Sequence, residues 1–425
     1  MGQKIFFIVL SALVLLSVLT ASNYPELVSS IDSGDTAWML VSSALVLLMT
    51  PGLSFFYGGM IDKKNVISTM LQSFIALGVI SILWVLLGFS LAFGDSIYGI
   101  IGNPFTYFNF RNVGLEPNSN FAATIPFLLF ALFQLKFAII TPALITGSLA
   151  GRIRFRSYIL FMVLFSIFIY SPLAHMTWHP EGLFRKWGVL DFAGGTVVHM
   201  SAGFAALAGA VFLGKRKIVS ESNPNVPFVI LGTGLLWFGW FGFNAGSALG
   251  ANADAVIAFA NTNIASATAM ITWVFYERMM GRKMSAIGAC IGAVVGLVAI
   301  TPAAGFVNIG QSMFIGFFAA LVSNYAIHLK NKSNIDDTLD VFPSHGIGGI
   351  VGMLLTAVFA KEVGLLYGQT TTFLFHLLAL LITSIFTFGG SYLLFKIVDI
   401  ILPLRVREDQ EEKGLDLSQH GERIE

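Results

Sequence analysis

The chain has 425 residues, of which 56% are hydrophobic and only 11% are charged, with a net charge of +1. Together with 40 Phe and 43 Gly, this composition predicts a polytopic α-helical membrane protein and not a soluble one. Because the apolar runs are long and do not alternate with polar residues, a transmembrane β-barrel is excluded. The near-neutral charge gives no reason to expect nucleic acid, and the single cysteine, Cys290, excludes a disulfide framework or a cysteine-based zinc cluster.

The amino-terminal 22 residues have the pattern of a secretory signal peptide. A short basic start ending at Lys4 precedes an apolar stretch up to Leu19, and small residues follow at 20–22. This order of segments is typical of a cleaved signal. We therefore expect residues 1–22 to be absent from the mature fold; the alternative is an uncleaved first helix.

Eleven hydrophobic runs of membrane-spanning length follow. They lie at about 36–60, 65–93, 122–149, 157–176, 191–214, 226–248, 255–276, 285–303, 308–329, 341–360 and 372–400. Runs of about this length cross the hydrocarbon core as helices. We expect an all-α membrane domain over residues 23–404.

Basic residues concentrate in every second connection between these runs. The basic connections contain Lys63, Lys64, Arg152, Arg154, Arg156, Lys215, Arg216, Lys217, Arg278, Arg282, Lys283, Lys330 and Lys332. The other connections contain only Arg111, Arg185, Lys186 and Lys361. By the positive-inside rule, the mature amino terminus lies outside and residues 405–425, which are charged and lack an apolar period, form a cytoplasmic tail.

Ionisable residues inside the apolar runs are candidates for function, because such groups are costly at bilayer depth. Asp191 and His199 lie in the fifth run, about 12 Å apart along a helix. His199 and His345 each precede a glycine by four residues, in the fifth and tenth runs. This predicts an inverted repeat, with halves at about 36–214 and 226–360 and a final helix at 372–400, that brings the two histidines together near the midplane.

Four segments resemble the ammonium transporter (Amt/Mep/Rh) family. They are Asp191-Phe-Ala-Gly-Gly-Thr-Val-Val-His-Met-Ser-Ala-Gly203, Trp237-Phe-Gly-Trp-Phe-Gly-Phe-Asn-Ala-Gly-Ser247, Asp340-Val-Phe-Pro-Ser-His-Gly346 and the tail Gly414-Leu-Asp-Leu-Ser-Gln-His-Gly-Glu422. The resemblance implies eleven spans in two inverted halves, a homotrimer with one pore per subunit, no enzymatic activity and no cofactor. It also implies a place in the cytoplasmic membrane and a tail that contacts a PII-type regulator.

The resemblance also assigns roles to residues along a pore. Phe133, Phe137, Trp178 and Ser247 match an outer ammonium recruitment site, Phe137 and Phe243 match the gate beneath it, and His199 and His345 match a pair of pore histidines. Aromatic faces attract a small cation and a hydroxyl accepts its hydrogen bond, whereas stacked rings exclude hydrated ions. Asp191 matches an essential aspartate, which either attracts the cation or accepts N–H bonds at a helix start. Whether ammonia or net ammonium crosses stays open.

Two positions depart from the family pattern. Lys136 stands where a small or neutral residue is usual, and on a helix it lies about 60° from Phe133 and about 100° from Phe137. If Lys136 were protonated about 6 Å from the ion path, repulsion of roughly 2.8 kcal/mol would nearly silence conduction. Other possibilities are a neutral amine, a subunit interface or an acidic partner. Pro343 and Ser344, just before His345, could shift that imidazole.

Three other functions can be compared with transport. A serine hydrolase is disfavoured, because Ser344 and His345 are adjacent and point about 100° apart on a helix, and no nucleophile elbow is present. A metal site at the two histidines lacks a third ligand. A sensor of the same fold, which binds ammonium and signals through its tail, is the stronger alternative, and Lys136 is the residue that favours it.

Overall fold

The computed structural model describes residues 2–19, 31–218 and 224–424. Its helices, in chain order, are α1 (Gly2–Leu19), α2 (Ser33–Met60), α3 (Val66–Phe74), α4 (Ala76–Leu83), α5 (Phe89–Phe93), α6 (Phe127–Leu149), α7 (Phe155–Phe165), α8 (Ser171–Trp178), α9 (Leu183–Lys186), α10 (Ser201–Leu213), α11 (Val226–Ala245), α12 (Ala253–Met279), α13 (Ala286–Ile300), α14 (Ile309–Lys332), α15 (Gly348–Phe359), α16 (Thr370–Ile401) and α17 (Glu408–Lys413).

Several spans contain wider π-helical turns. These turns are Trp84–Gly88, Ser166–Tyr170, Gly195–Met200, Phe342–Ile347 and, in the tail, Asp416–His420. The short 3₁₀ segments are Lys63–Asn65, Phe108–Phe110, Gly246–Ala248 and Leu365–Tyr367. Two-residue strands β1 (Ser96–Ile97) and β2 (Ile101–Gly102) pair antiparallel. π-Helical turns are frequent at functional sites, and two of these contain the predicted pore histidines.

The predicted all-α membrane fold is confirmed. Ten continuous helical segments in the described part of the chain are long and apolar enough to cross a bilayer. The run predicted at 285–303 forms α13, which is 15 residues long and therefore shorter than a usual span. Eleven spans remain a prediction. The proposed cleavage residues 20–22 lie outside the described residues.

Glycine lets the two predicted half-repeats meet at one close contact. A side-chain carbon on Gly203 of α10 would lie 2.3 Å from the Cα of Gly346, in the π-helical turn that contains His345. No larger residue fits there, because the backbones approach too closely. This contact places the elements that hold His199 and His345 side by side in the centre of the bundle.

The tail folds back against the membrane domain. Leu404, Val406 and Leu415 are buried, and the Asp416 carboxylate accepts the N–H groups of Ile67 and Ser68 at 2.9 and 2.7 Å. Asp416 therefore satisfies donors in the first turn of α3, as an N-cap residue does. The expected charged tail is present, but it is docked on the ends of the spans.

Candidate functional site: a vestibule, an aromatic gate and a histidine pair

An open cavity of about 430 Å³, here called the vestibule, lies at one end of the bundle. Trp178, Phe137 and Ser247, three of the predicted recruitment residues, line it, as does Asp191. The fourth predicted residue, Phe133, is fully buried and does not line the vestibule; its ring packs edge-on against Phe137 with centroids 5.0 Å apart. Phe133 therefore supports the ring of Phe137.

The Ser247 hydroxyl has one hydrogen bond, donated to the Phe243 carbonyl oxygen at 2.8 Å. Its oxygen lone pairs remain available to accept from a bound cation. Gln134, which sequence reasoning did not select, also lines the vestibule, and its buried Oε1 has no partner within the described chain. A buried acceptor without a donor is costly, so Gln134 is a further candidate ligand. Its position in the sequence, directly after the predicted recruitment residue Phe133, is the feature that could have identified it.

Two phenylalanine rings close the inner end of the vestibule. The centroids of Phe137 and Phe243 are 4.3 Å apart, with ring planes 37° apart. Phe137 lines the vestibule, whereas Phe243 lines a second, enclosed cavity beneath it. The pair therefore separates the two spaces, at the position predicted for the gate.

The second space, here called the inner cavity, is narrow and apolar. Its volume is about 10 Å³, close to the minimum that one water molecule needs. His199 and His345 both line it. Their Nδ1 atoms are 3.4 Å apart, and the ring of His199 lies against Trp240 and Phe243 with centroid distances of 5.4 and 5.9 Å.

The contact between the two imidazoles determines which of their outer nitrogens donates a hydrogen bond and which accepts one. If both rings are neutral and share one proton between the Nδ1 atoms, one Nε2 is a donor and the other is an acceptor. The Nε2 of His199 is buried and has no partner in the part of the chain that the structure describes. It is therefore free to bond to a polar solute in the inner cavity.

Asp191 holds the turn that carries His199. Its carboxylate accepts the N–H groups of Gly194, Gly195 and Thr196 at 2.8, 2.6 and 2.8 Å, and the Thr196 hydroxyl at 2.6 Å. Gly194 adopts a φ of +116°, which favours glycine. The contacts fit the structural alternative for Asp191, the acceptance of N–H bonds at a helix start, while its place in the vestibule lining keeps the electrostatic one open.

Asp337 plays the same part for His345 and was missed by sequence reasoning. Its carboxylate accepts the N–H groups of Val341 and Phe342 at 3.1 and 2.7 Å, at the start of the second π-helical turn. Asp337 and His345 are eight residues apart, as are Asp191 and His199. This repeated spacing was the signal in the sequence.

The buried Asp337 adjoins a charged cluster at the end of the bundle opposite the vestibule. Arg152 is fully buried and donates to the Thr338 hydroxyl at 2.8 Å and to the Asp336 carbonyl; burial lowers its pKa to about 10. Burial acts to raise the pKa of Asp336, but hydrogen bonds from Arg216 outweigh it and hold that pKa below its usual value. Burial raises the pKa of Asp337.

The structure places Lys136 away from the vestibule. Lys136 is partly exposed, on the face of α6 that it shares with Leu132 and Leu128, and it is not among the residues described as lining either the vestibule or the inner cavity. The orientation does not support direct repulsion of the ion about 6 Å away. Pro343 occupies the first turn of the π-helical segment, where its missing N–H is tolerated, and His345 still faces His199.

Comparisons with known proteins agree with this architecture. The model of the Ammonium Transporter Family matches residues 37–424. An ammonium transporter of Aquifex aeolicus is 46% identical, over 96% of this chain and 97% of the relative, and one of Bacillus subtilis is 44% identical, over 92% and 98%.

Solved structures give the same fold. A crystal structure of Saccharomyces cerevisiae Mep2 has a TM-score of 0.84 at 34% identity, covering 90% of this chain and 89% of that one. A structure described as a sensor Amt protein has a TM-score of 0.84 at 29% identity, covering 91% and 98%. The matched model and the relatives span almost all of the membrane domain and the tail, so this chain belongs to the ammonium transporter family.

Proposed function

We propose that the chain recruits ammonium in the vestibule and passes ammonia through the inner cavity. The observation that carries the proposal is the order of its parts: an aromatic vestibule with a carboxylate, then the Phe137–Phe243 pair, then two imidazoles in an apolar cavity. A path arranged in this way selects a cation at its mouth and opposes the charged form further in.

Selectivity at the mouth follows from the vestibule chemistry. The rings of Phe137 and Trp178 attract a cation through their faces, worth about 0.5 to 2 kcal/mol depending on desolvation. The oxygens of Ser247 and Gln134 accept hydrogen bonds, which ammonium donates and potassium does not. The combination therefore favours ammonium over potassium of similar size.

Passage past the gate favours the neutral molecule. The inner cavity has little room for a hydration shell and few polar atoms, so a charged ion would pay a large desolvation cost. Ammonia that has passed its proton to solvent in the open vestibule can hydrogen-bond to His199 and His345. The same imidazole pair can relay the proton separately, and the experiment below distinguishes the two outcomes.

Transport is tested in proteoliposomes given an ammonium pulse. Two signals are recorded: alkalinisation of the lumen, which reports ammonia entry, and electrical current, which reports net charge. Native protein should give faster lumenal alkalinisation than protein-free liposomes; a current with correspondingly less alkalinisation would show that the proton enters with the ammonia. His345→Ala should reduce the native signals at least about tenfold, because the inner cavity loses one hydrogen-bonding ring.

Lys136→Thr is the matched control within the same membrane domain. Because Lys136 does not line the vestibule as described, the signals should change by less than about twofold. A native protein that gives neither signal, beside a folded His345→Ala variant that behaves identically, would contradict the transport proposal.

Sensing is the second candidate, favoured by the likeness to the sensor Amt protein. It makes a different prediction in the same assay. Native protein would bind ammonium without transport, and only Lys136→Thr would give a signal. Binding is measured independently by thermal stabilisation of the native protein with ammonium against potassium.

Three further features belong to the proposal. The alternating basic connections support a cytoplasmic-membrane protein with its mature amino terminus outside and its tail inside, and residues 1–22 are proposed as its signal peptide. Family membership supports a homotrimer. The tail, docked on the cytoplasmic ends of the spans by Asp416 and Leu415, is proposed as the contact surface for a PII-type regulator.

A further inference from the structure

A cavity of about 320 Å³ separates the tail from the start of α7 and the end of α16; it is here called the arginine cavity. Three arginines, Arg154, Arg156 and Arg407, line it, and no acidic residue is among its described lining residues. Three guanidinium groups around one concave space, of which only Arg407 has an acidic partner, favour an anion as ligand. None of the transport chemistry above uses it.

The guanidinium groups are only partly satisfied by the protein. Arg154 donates its Nε to the Arg405 carbonyl at 3.0 Å, but its terminal nitrogens have no acceptor among the described residues. Arg156 is exposed, and its side chain has no hydrogen bond or ion pair within the described chain. Arg407 is paired with the exposed Asp409. Two forked donors therefore remain for a ligand.

Polar tail residues form the opposite wall. Gln419 accepts the Phe155 N–H at 2.8 Å and donates to the Ile153 carbonyl at 3.3 Å, which fixes the tail beside the first turn of α7. Ser418 also lines the cavity. An anion held by Arg154 and Arg156 would thus lie between the membrane domain and the tail.

We propose that the arginine cavity binds a phosphate group, and that its source is the head group of an anionic phospholipid. Guanidinium groups bind phosphate in a bidentate manner, and basic pockets at the cytoplasmic ends of spans suit anionic lipid head groups. The lipid source follows from the adjacent surface: Leu402 lines the cavity, and Ile400 and Ile401 just before it are 79% and 59% exposed. Acyl chains can lie on this apolar end of α16 while the phosphate enters the cavity.

The bound lipid has a structural consequence. Its phosphate would bridge α7 and the tail, so anionic lipid should stabilise the docked tail. This inference does not depend on conduction, and its test reads binding and tail protection instead of transport.

Binding is measured by native mass spectrometry of the full-length protein in detergent, titrated with phosphatidylglycerol or phosphatidylcholine. Phosphatidylglycerol should bind more tightly. Arg156→Gln should weaken its binding about tenfold, the loss expected for one bidentate contact. Arg278→Gln is the matched control, because Arg278 is also an exposed arginine in a basic connection but does not line the cavity. It should change binding by less than about twofold.

Limited proteolysis supplies the second readout. Phosphatidylglycerol should slow cleavage within residues 405–424 of the native protein and have no such effect on Arg156→Gln. Equal binding of the two lipids by native protein, or equal losses in Arg156→Gln and Arg278→Gln, would overturn the proposal. Glycerol 1-phosphate is the soluble probe: if it binds native protein as tightly as phosphatidylglycerol and is lost in Arg156→Gln, the phosphate site stands and the lipid source is overturned.

Discussion

Substitution of Asp337 should disturb the pore from the end opposite the vestibule. In Asp337→Ala, the N–H groups of Val341 and Phe342 lose the acceptor that the fully buried Asp337 carboxylate provides. Each lost hydrogen bond of this kind costs about 1 to 2 kcal/mol, so we expect a loss of about 2 to 4 kcal/mol in the free energy of unfolding. Asp337→Asn keeps one acceptor and should lose about half as much.

The effect should also reach His345, because the two N–H groups begin the π-helical turn that contains it. A ring that departs from its 3.4 Å contact with His199 would no longer share a proton with it. The midpoint temperature of thermal unfolding in detergent should fall by at least about 2 °C in Asp337→Ala. Ammonia entry into proteoliposomes should fall about tenfold or more, while stabilisation of the protein by ammonium, which reports the vestibule, should persist.

Asp340→Asn is the matched control. Asp340 is three residues away and pairs with Lys330 at 2.6 Å, with about a fifth of its side chain exposed; its φ of +57° suits asparagine equally well. Asparagine keeps an acceptor for Lys330, so Asp340→Asn should lose less free energy of unfolding than Asp337→Ala. If Asp337→Ala and Asp340→Asn had the same stability and the same ammonia entry, the assignment of Asp337 as the acid that positions His345 would be refuted.

Three further predictions concern the gate, the charged cluster and the tail. Phe243→Ala should connect the vestibule with the inner cavity and raise potassium current at least about fivefold over native protein, whereas Phe241→Ala, on the same helix but outside the cavity linings as described, should not. Asp336→Asn should lower the free energy of unfolding by about 1 to 3 kcal/mol at neutral pH. Because the pKa of Asp336 is lowered in the fold, the difference in stability between native protein and Asp336→Asn should disappear only as the pH falls below about 4. Thermal unfolding at several pH values measures it. Asp416→Ala should remove both acceptors that cap α3 and speed proteolysis of the tail about tenfold, and unchanged cleavage would contradict the docking role of that carboxylate.

The membrane architecture could be predicted from hydropathy because ten helical segments of the described chain are long and apolar enough to cross a bilayer. The predicted run at 372–400, for example, differs from α16 by only two residues at its start and one at its end. The run at 285–303 was less informative, since the apolar sequence continues past Ile300 although regular helix does not. Hydropathy measures the solvent that a segment tolerates, and it does not report where the backbone changes its hydrogen bonding.

Site residues could be predicted where they belong to a family motif and where one residue type suits the proposed role. His199, His345, Phe137 and Phe243 lie together as the family resemblance implied. Phe133 was assigned to the vestibule because the sequence alone does not distinguish a phenylalanine that contacts the ion from one that packs behind another ring. Lys136 was assigned beside the ion path from helix spacing alone, which gives angles on one helix but not the helices that surround it.

A buried carboxylate supports the turn that contains each of the two histidines. This arrangement explains why an acid occurs near each end of an otherwise apolar path. The two π-helical turns that contain His199 and His345 each lie at the start of a helical segment, where the first N–H groups have no preceding carbonyl to accept them, and in an apolar interior such donors need a partner. Asp191 supplies that partner beside the vestibule, and Asp337 supplies it beside the basic cluster. Each imidazole is thus positioned from its own end of the pore. Weakening one acid should therefore displace one ring and leave the other in place, which separates damage to the proton-sharing contact from damage to ammonium recruitment.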